Sequence, residues 1–299
     1  MPQYTGSIID THHHIWFQKD IGWLNPPVTP KLFGDYFGLR RDFTIEEWLN
    51  DIVPENVTKS VHVTANWGPP KAVDETKWLQ SVADKHGYPH AFTVQADLTD
   101  PDVEKQLALQ KTYPNTRGVR HQLYWDSNPL NQYTSRPDLC NAPEFRRGFA
   151  AVEKHGLHFE LQVYGSQAKY AVELLRAFPN TRFLLLHSGM LTNDQDPMIL
   201  NQWRDGLMQI ASCPNAYVKI SGLNMYSQKL THAHLRQAIR DSIQIFGVDR
   251  TIYGSNFPLE KLWCSYADLM AMYRKVLSEY SVEDQKKIFH DNAVKFYRL

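Results

Sequence analysis

Apolar residues gather in short dense runs that recur along the chain, with stretches of helical periodicity between them. The runs at 7–14, 59–65, 90–96, 118–123, 158–163, 182–187, 216–221 and 251–256 are too short for buried helices and rich in β-branched and aromatic residues, so they read as strands. Segments 71–86, 102–111, 144–155, 168–177, 201–211 and 232–246 carry a helical pattern. The final segment, "SVEDQKKIFHDNAVKFYRL", reads as a capped helix: Ser281 and Asp284 approximate a capping box, and Phe289, Ala293 and Phe296 form an apolar stripe. Eight strands alternating with helices predict an α/β fold, a (β/α)8 TIM barrel, in preference to an open sheet. No Gly/Ser linker, low-complexity tract or charge block divides the chain, so residues 1–299 are expected to form one domain.

Two connections are long, 16–44 after the first strand and 124–143 after the fourth. The first carries Trp23, Phe33, Tyr36, Phe37 and Phe43, and the second Tyr124, Trp125 and Tyr133. Barrel enzymes build their sites at the C-terminal ends of the strands, so aromatic loops there read as pocket walls or lids, with Trp23 a candidate substrate contact.

Composition acts mainly by exclusion. Lys plus Arg and Asp plus Glu both number 32, which leaves no basic stripe for nucleic acid and no acidic tail. Hydrophobic residues make up 42% of the chain and charged residues 21%, the balance of an ordinary globular domain. Three scattered cysteines outside any CxxC fit reduced thiols, and no membrane span or export leader is read, so a cytoplasmic protein acting on a small molecule is the expectation. Association into a homo-oligomer stays open.

Candidate chemistry sits at the strand ends. In "IIDTHHHIW", alternation along a strand puts His12 and His14 on one face with Ile8 and Asp10, and His13 on the other. The sixth strand, "RFLLLHSG", ends in His187, the eighth, "TIYGSNFP", in Asn256, and the fourth, "RGVRHQL", offers Arg120 and His121. Three histidines, an amide and an arginine from four strands would meet around one rim. The pair "HAH" at 232–234 reads as surface, because positions i and i+2 of a helix do not share a face. No GxSxG accompanies Ser188 or Ser255, which argues against a serine nucleophile. No GxGxxG or GxxxxGK[ST] is present to cradle a nucleotide phosphate.

The motifs "IIDTHHHIW", "GVRHQL", "FLLLHSGM", "VKISGL" and "YGSNFPLEKL", in this order, resemble the amidohydrolase-2 (amidohydrolase-related) family of the amidohydrolase superfamily. The nearest branch contains pyrone-dicarboxylate lactonase and sugar-acid lactonases. The resemblance implies a barrel hydrolase whose chemistry is carried by an HxH on strand one, a histidine on strand five or six and an aspartate ending strand eight. His12, His14 and His187 match the histidines. Gln162 stands where decarboxylase members hold a metal-ligating histidine, and Asn256 replaces the aspartate. Neutral imidazoles and amides do not offset a metal's charge, so no cofactor is expected. Weak or partial binding of a divalent metal such as zinc at His12, His14 and His187 is the alternative. An amide at Asn256 cannot take up a proton, so that role passes to a histidine. Arg120 is the natural fork for a substrate carboxylate or hydroxyl, with His121, Gln162 and Trp23 as further contacts. The resulting expectation is a lactonase opening a lactone-type ester of a small polar acid. Its rivals are a lactone isomerase, a metal-dependent decarboxylase and a non-catalytic binder of a small acid.

Overall fold

The computed structural model describes residues 2–299. Eight strands occur in chain order: β1 (Ile8–His13), β2 (Val57–Val63), β3 (Ala91–Gln95), β4 (Thr116–Gln122), β5 (His158–Gln162), β6 (Phe183–Leu185), β7 (Ala216–Ile220) and β8 (Thr251–Tyr253). Each pairs in parallel with the next. β1 and β8 close the ring just beyond their regular parts, where the His14 N–H donates to the Phe257 carbonyl at 2.7 Å and the Asn256 N–H to the His12 carbonyl at 2.7 Å. This is a (β/α)8 TIM barrel, with long βα loops after β1 and β4.

The helices form the outer layer: α1 (Ile45–Ile52), α2 (Ala72–His86), α3 (Val103–Lys111), α4 (Pro143–Lys154), α5 (Ala168–Ala177), α6 (Pro197–Ala211), α7 (His232–Phe246) and α8 (Tyr266–Leu277). The chain ends in α9 (Val282–Lys286), one π turn and α10 (Asn292–Tyr297). The C-terminal segment is therefore two short helices where sequence predicts one. Its expected cap is present, the Ser281 hydroxyl accepting from the Asp284 N–H at 3.1 Å. Ala293, Phe296 and Tyr297 plug the bottom of the barrel against Ile9, Val61, Ala91, Leu184 and Ile252.

The phase of β1 differs from simple alternation. Ile9 lies inside the barrel, whereas Ile8 joins the strand–helix core and Asp10 meets Tyr266 of α8. Between Asp10, opposite Ser60, and His13, opposite His62, β1 carries one residue more than β2. That bulge resets the alternation. Asp10 and Ile8 thus face outward, while His12 and His14 face inward, correcting the expectation that all four share a face. His13 faces outward as expected and stacks on Trp48 of α1, with ring centroids 4.2 Å apart and planes 6° from parallel. Neither ring nitrogen of His13 has a hydrogen-bond partner among the described residues.

A buried ring that stacks but makes no hydrogen bond is replaceable by a hydrocarbon. His13→Ala should lower unfolding stability by about 2–4 kcal/mol through the void it leaves. His13→Phe should be neutral or stabilising, because the unpaired nitrogens go and the stack stays. Urea unfolding of both variants checks this, and equal losses would show that the nitrogens, not the ring face, matter.

Candidate functional site

The C-terminal mouth of the barrel opens into a cavity of about 310 Å³. His14, His187, Asn256, Arg120, Gln162 and Trp23 line it, with Trp16, Phe33, Trp67, Tyr124 and Tyr133 supplying an aromatic wall. The long loops after β1 and β4 contribute most of that wall, as their composition predicts. His12 lies just below, fully buried, its ring centroid 5.1 Å from His14 and 4.7 Å from His187. The three histidines therefore form one cluster.

Local backbone geometry aims each group. β6 stops at Leu185, two residues earlier than its sequence pattern implies, and His187 and Ser188 take left-handed backbone angles, φ 53° and 51°. The Trp203 indole of α6 holds the turn by donating to the Ser188 carbonyl at 2.6 Å. β8 likewise stops at Tyr253, and Asn256 sits at φ 69°. Two glycines make room: a Cβ on Gly222 would lie 2.5 Å from His187 Nδ1, and one on Gly254 would lie 2.7 Å from His12 Cβ. Side chains cannot occupy either place without displacing a histidine.

The hydrogen bonds divide the histidines. His14 Nδ1 lies 2.6 Å from the Val63 carbonyl, which can only accept, so His14 carries its proton there and turns a bare Nε2 outward. His187 Nδ1 meets the Ser221 hydroxyl at 3.0 Å. His12 Nδ1 is 3.5 Å from the Lys219 ammonium, and its Nε2 has no partner. Burial holds all three imidazoles neutral: His12 and His14 fall well below the usual 6.5 and His187 falls to about 3, with Lys219 or Arg120 adding repulsion.

Arg120 is buried in the cavity wall, with one guanidinium nitrogen donating to the Thr64 carbonyl and Nε unpaired. Among the described residues no carboxylate lies within ion-pair distance of it, and no acidic residue lines the cavity. The Glu75 carboxylate steadies the neighbouring β2 end by accepting from the Thr64 hydroxyl at 2.7 Å and the Ala65 N–H at 2.5 Å. An amide chain completes the floor: Asn66 donates to Gln122 at 2.6 Å, and Gln122 to Gln162 at 3.2 Å.

Two expectations need correction. His121 lies outside the cavity, accepting from the Leu98 N–H at 3.1 Å and packing on Phe145 of α4, because neighbours on a strand face opposite ways and Arg120 faces in. His234 is buried and not on the surface; its ring bridges Asp194 at 3.0 Å and the Leu223 carbonyl at 2.8 Å. Sequence reasoning missed Asn66, Gln122, Trp67, Lys219 and Glu260. Lys219 left a usable signal, a lysine inside the apolar strand "YVKI".

The amidohydrolase family profile matches residues 9–299. The chain belongs to the amidohydrolase family. A Sinorhizobium fredii protein named only as uncharacterised is 37% identical over 98% of this chain and 99% of its own length. An L-fucono-1,5-lactonase of Burkholderia ambifaria is 23% identical over 97% of this chain and 95% of its own. The crystal structure of an amidohydrolase from Burkholderia multivorans with bound zinc superposes with a TM-score of 0.82 at 22% identity, covering 98% of this chain and all of that one. It shares the fold.

The zinc in that structure raises the question of a metal here. Among the described residues no group of three His, Cys, Asp or Glu is arranged to hold one. His12, His14 and His187 are the side chains that could ligate one, but no carboxylate lines the cavity beside them, Asn256 supplies an amide, and two cations, Lys219 and Arg120, lie nearby. A zinc centre here would rest on His12, His14 and His187 without a carboxylate ligand.

Behind Asn256, the Glu260 carboxyl is fully buried, accepts from the Asn224 amide, and is pushed up by burial to about 8. Below its ordinary value of 4.5 both folded and unfolded states hold the proton. Between 4.5 and about 8 only the folded state does, so stability falls as pH rises through that window. Glu260→Gln should remove this loss, gaining on the parent protein by an amount on the order of a few kcal/mol between pH 5 and pH 8.5 in urea unfolding. A constant difference across those pH values would show that Glu260 is ionised in the folded state.

Proposed function

We propose that this amidohydrolase is a lactonase that opens a lactone-type ester of a small, negatively charged or polyhydroxylated acid. One observation carries the reading: three clustered histidines, two in its wall and His12 just below, serve a cavity that contains an arginine without an ion-pair partner and no carboxylate. The lactonase-named relative supports it.

In this reading Arg120 grips the substrate's carboxylate or hydroxyls in two-point fashion, and the aromatic wall covers the ring faces. The lactone carbonyl then rests over the histidines. Water lies against the bare Nε2 of His14, which takes one of its protons as the oxygen attacks the carbonyl carbon. The developing oxyanion receives hydrogen bonds from donors at the floor, Asn256 Nδ2 and His12 Nε2 being among those that lack partners. When the carbonyl reforms, the ring ester C–O bond breaks and the proton on His14 passes to the departing alkoxide. The product is the open hydroxy acid, which releases one proton to solution. Neutral His14 is a weak base, and the oxyanion forming beside it raises its proton affinity in step with need. Gln162 and Trp23 act here as substrate contacts.

The panel that tests this contains aldonic 1,5-lactones and carboxylated lactones, followed by proton release. Turnover of at least one is expected, falling at least a hundredfold in folded His14→Ala. Failure of every lactone, or an unaffected His14→Ala, would overturn the reading. With a working substrate, Arg120→Gln should raise KM about 10- to 100-fold, the loss of a charge-assisted contact.

The pH profile follows from the depressed imidazoles. A base held neutral by burial stays unprotonated as pH falls through 6.5, so kcat/KM should hold level there and drop only at more acid pH. An acid limb centred near 6.5 would mean that no buried histidine serves as the base.

A further inference from the structure

Lys219 is a buried lysine that the proposed chemistry leaves unused. It projects from β7 into the barrel directly under the histidine cluster, with no exposed surface. Its ammonium has three N–H bonds and three acceptors: Glu160 Oε1 at 2.9 Å, the Thr11 carbonyl at 2.7 Å and His12 Nδ1 at 3.5 Å. Glu160 Oε1 is itself held in place, accepting from the Thr93 hydroxyl at 2.9 Å and the Tyr297 hydroxyl at 2.7 Å. Those bonds hold the carboxylate in place, and the three contacts are the ammonium's hydrogen bonds among the described residues.

We propose that Lys219 is a positioning residue that fixes the single ring proton of His12 on Nε2, making that atom a permanent hydrogen-bond donor beneath the cavity. An ammonium only donates, so the ring nitrogen facing it must accept. A neutral imidazole has one N–H, which then lies on the other nitrogen. Two histidines two residues apart in the chain thus hold opposite tautomers. The Val63 carbonyl fixes the proton of His14 on Nδ1 and leaves Nε2 bare, while Lys219 does the reverse to His12. One imidazole is set to take a proton and the other to donate a hydrogen bond. The same tautomer removes the Nε2 lone pair that a metal would need, so Lys219 also selects against a dication.

This deepens the lactonase reading and rests on it for its catalytic meaning, but the tautomer is measurable without any substrate. The experiment is ¹⁵N–¹H correlation of the histidine rings in ¹⁵N-histidine-labelled protein, with His12 assigned by its loss in His12→Asn. In the parent protein His12 should show an unprotonated Nδ1 and a protonated Nε2, and His14 the opposite. Lys219→Met with Glu160→Gln removes both charges together and so avoids stranding a buried carboxylate. In that variant the His12 pattern should shift to the other tautomer or to a mixture. A protonated Nδ1 on His12 in the parent, or an unchanged pattern in the variant, would overturn the proposal. Should the variant fail to fold, the parent spectrum alone decides. On a lactone substrate the variant should lose at least tenfold in kcat with KM held within about twofold. A loss in KM alone would assign Lys219 to substrate binding and also overturn the proposal. A correct tautomer in a protein that turns over no lactone would leave the Lys219 role standing and remove the lactonase reading.

Discussion

The geometry of this amidohydrolase depends on the carboxylate of Asp10. Fully buried, it accepts the His12 N–H at 3.0 Å, the Ser255 N–H at 2.9 Å and the Tyr266 hydroxyl at 2.9 Å. These three bonds join the bulge in β1, the turn after β8 and helix α8 at one atom pair. Closure of the barrel and the inward turn of His12 and His14 are consequently the same event. Without an anchor at Asp10, the extra residue in β1 would have no reason to sit where it does. The strand could then revert to simple alternation, which would send His12 and His14 toward the helices.

The electrostatics of the interior have one direction. Lys219 and Arg120 are both buried near the histidine cluster, and only Lys219 has a carboxylate partner. Burying a cation without a counter-ion is unfavourable, and a protein tolerates it where a ligand supplies the missing charge. Here the cavity is ready for an anion or for an oxygen that becomes negative during reaction. Lys219 and Arg120 add to the burial that depresses the histidines, and the same charges favour an oxyanion. Asn256 stands where the resemblance implies an aspartate, so the cavity carries one negative charge fewer than that pattern would give it.

Much of this was legible in the sequence. The alternation of strand and helix patterns gave the barrel, and the run of motifs from "IIDTHHHIW" to "YGSNFPLEKL" indicated the family. The pairing of His12 with His14, and the exclusion of His13, followed from strand periodicity. That inference reached the right pair with the wrong neighbours, because a bulge is a property of the register between two strands and leaves no mark on one of them. His121 was misplaced for a related reason. Arg120 and His121 are adjacent, so only one can face the cavity, and the arginine does. Asn66 and Gln122 could not be recognised, since their alignment into an amide chain requires the ends of β2, β4 and β5 to be brought together at the barrel mouth. The ends of β6 and β8 were read too late because the left-handed backbone at His187 and Asn256 leaves no mark on the hydropathy pattern.

The central claim is that solvent water opens the substrate ring, in contrast to attack by one of the substrate's own hydroxyls. Turnover of a lactone substrate in water enriched in ¹⁸O, with the uncatalysed reaction subtracted, distinguishes the two directly. The account requires an open acid carrying one solvent oxygen in its new carboxylate for each turnover. An isomeric lactone free of label would contradict it and would make the protein an intramolecular acyl-transfer enzyme.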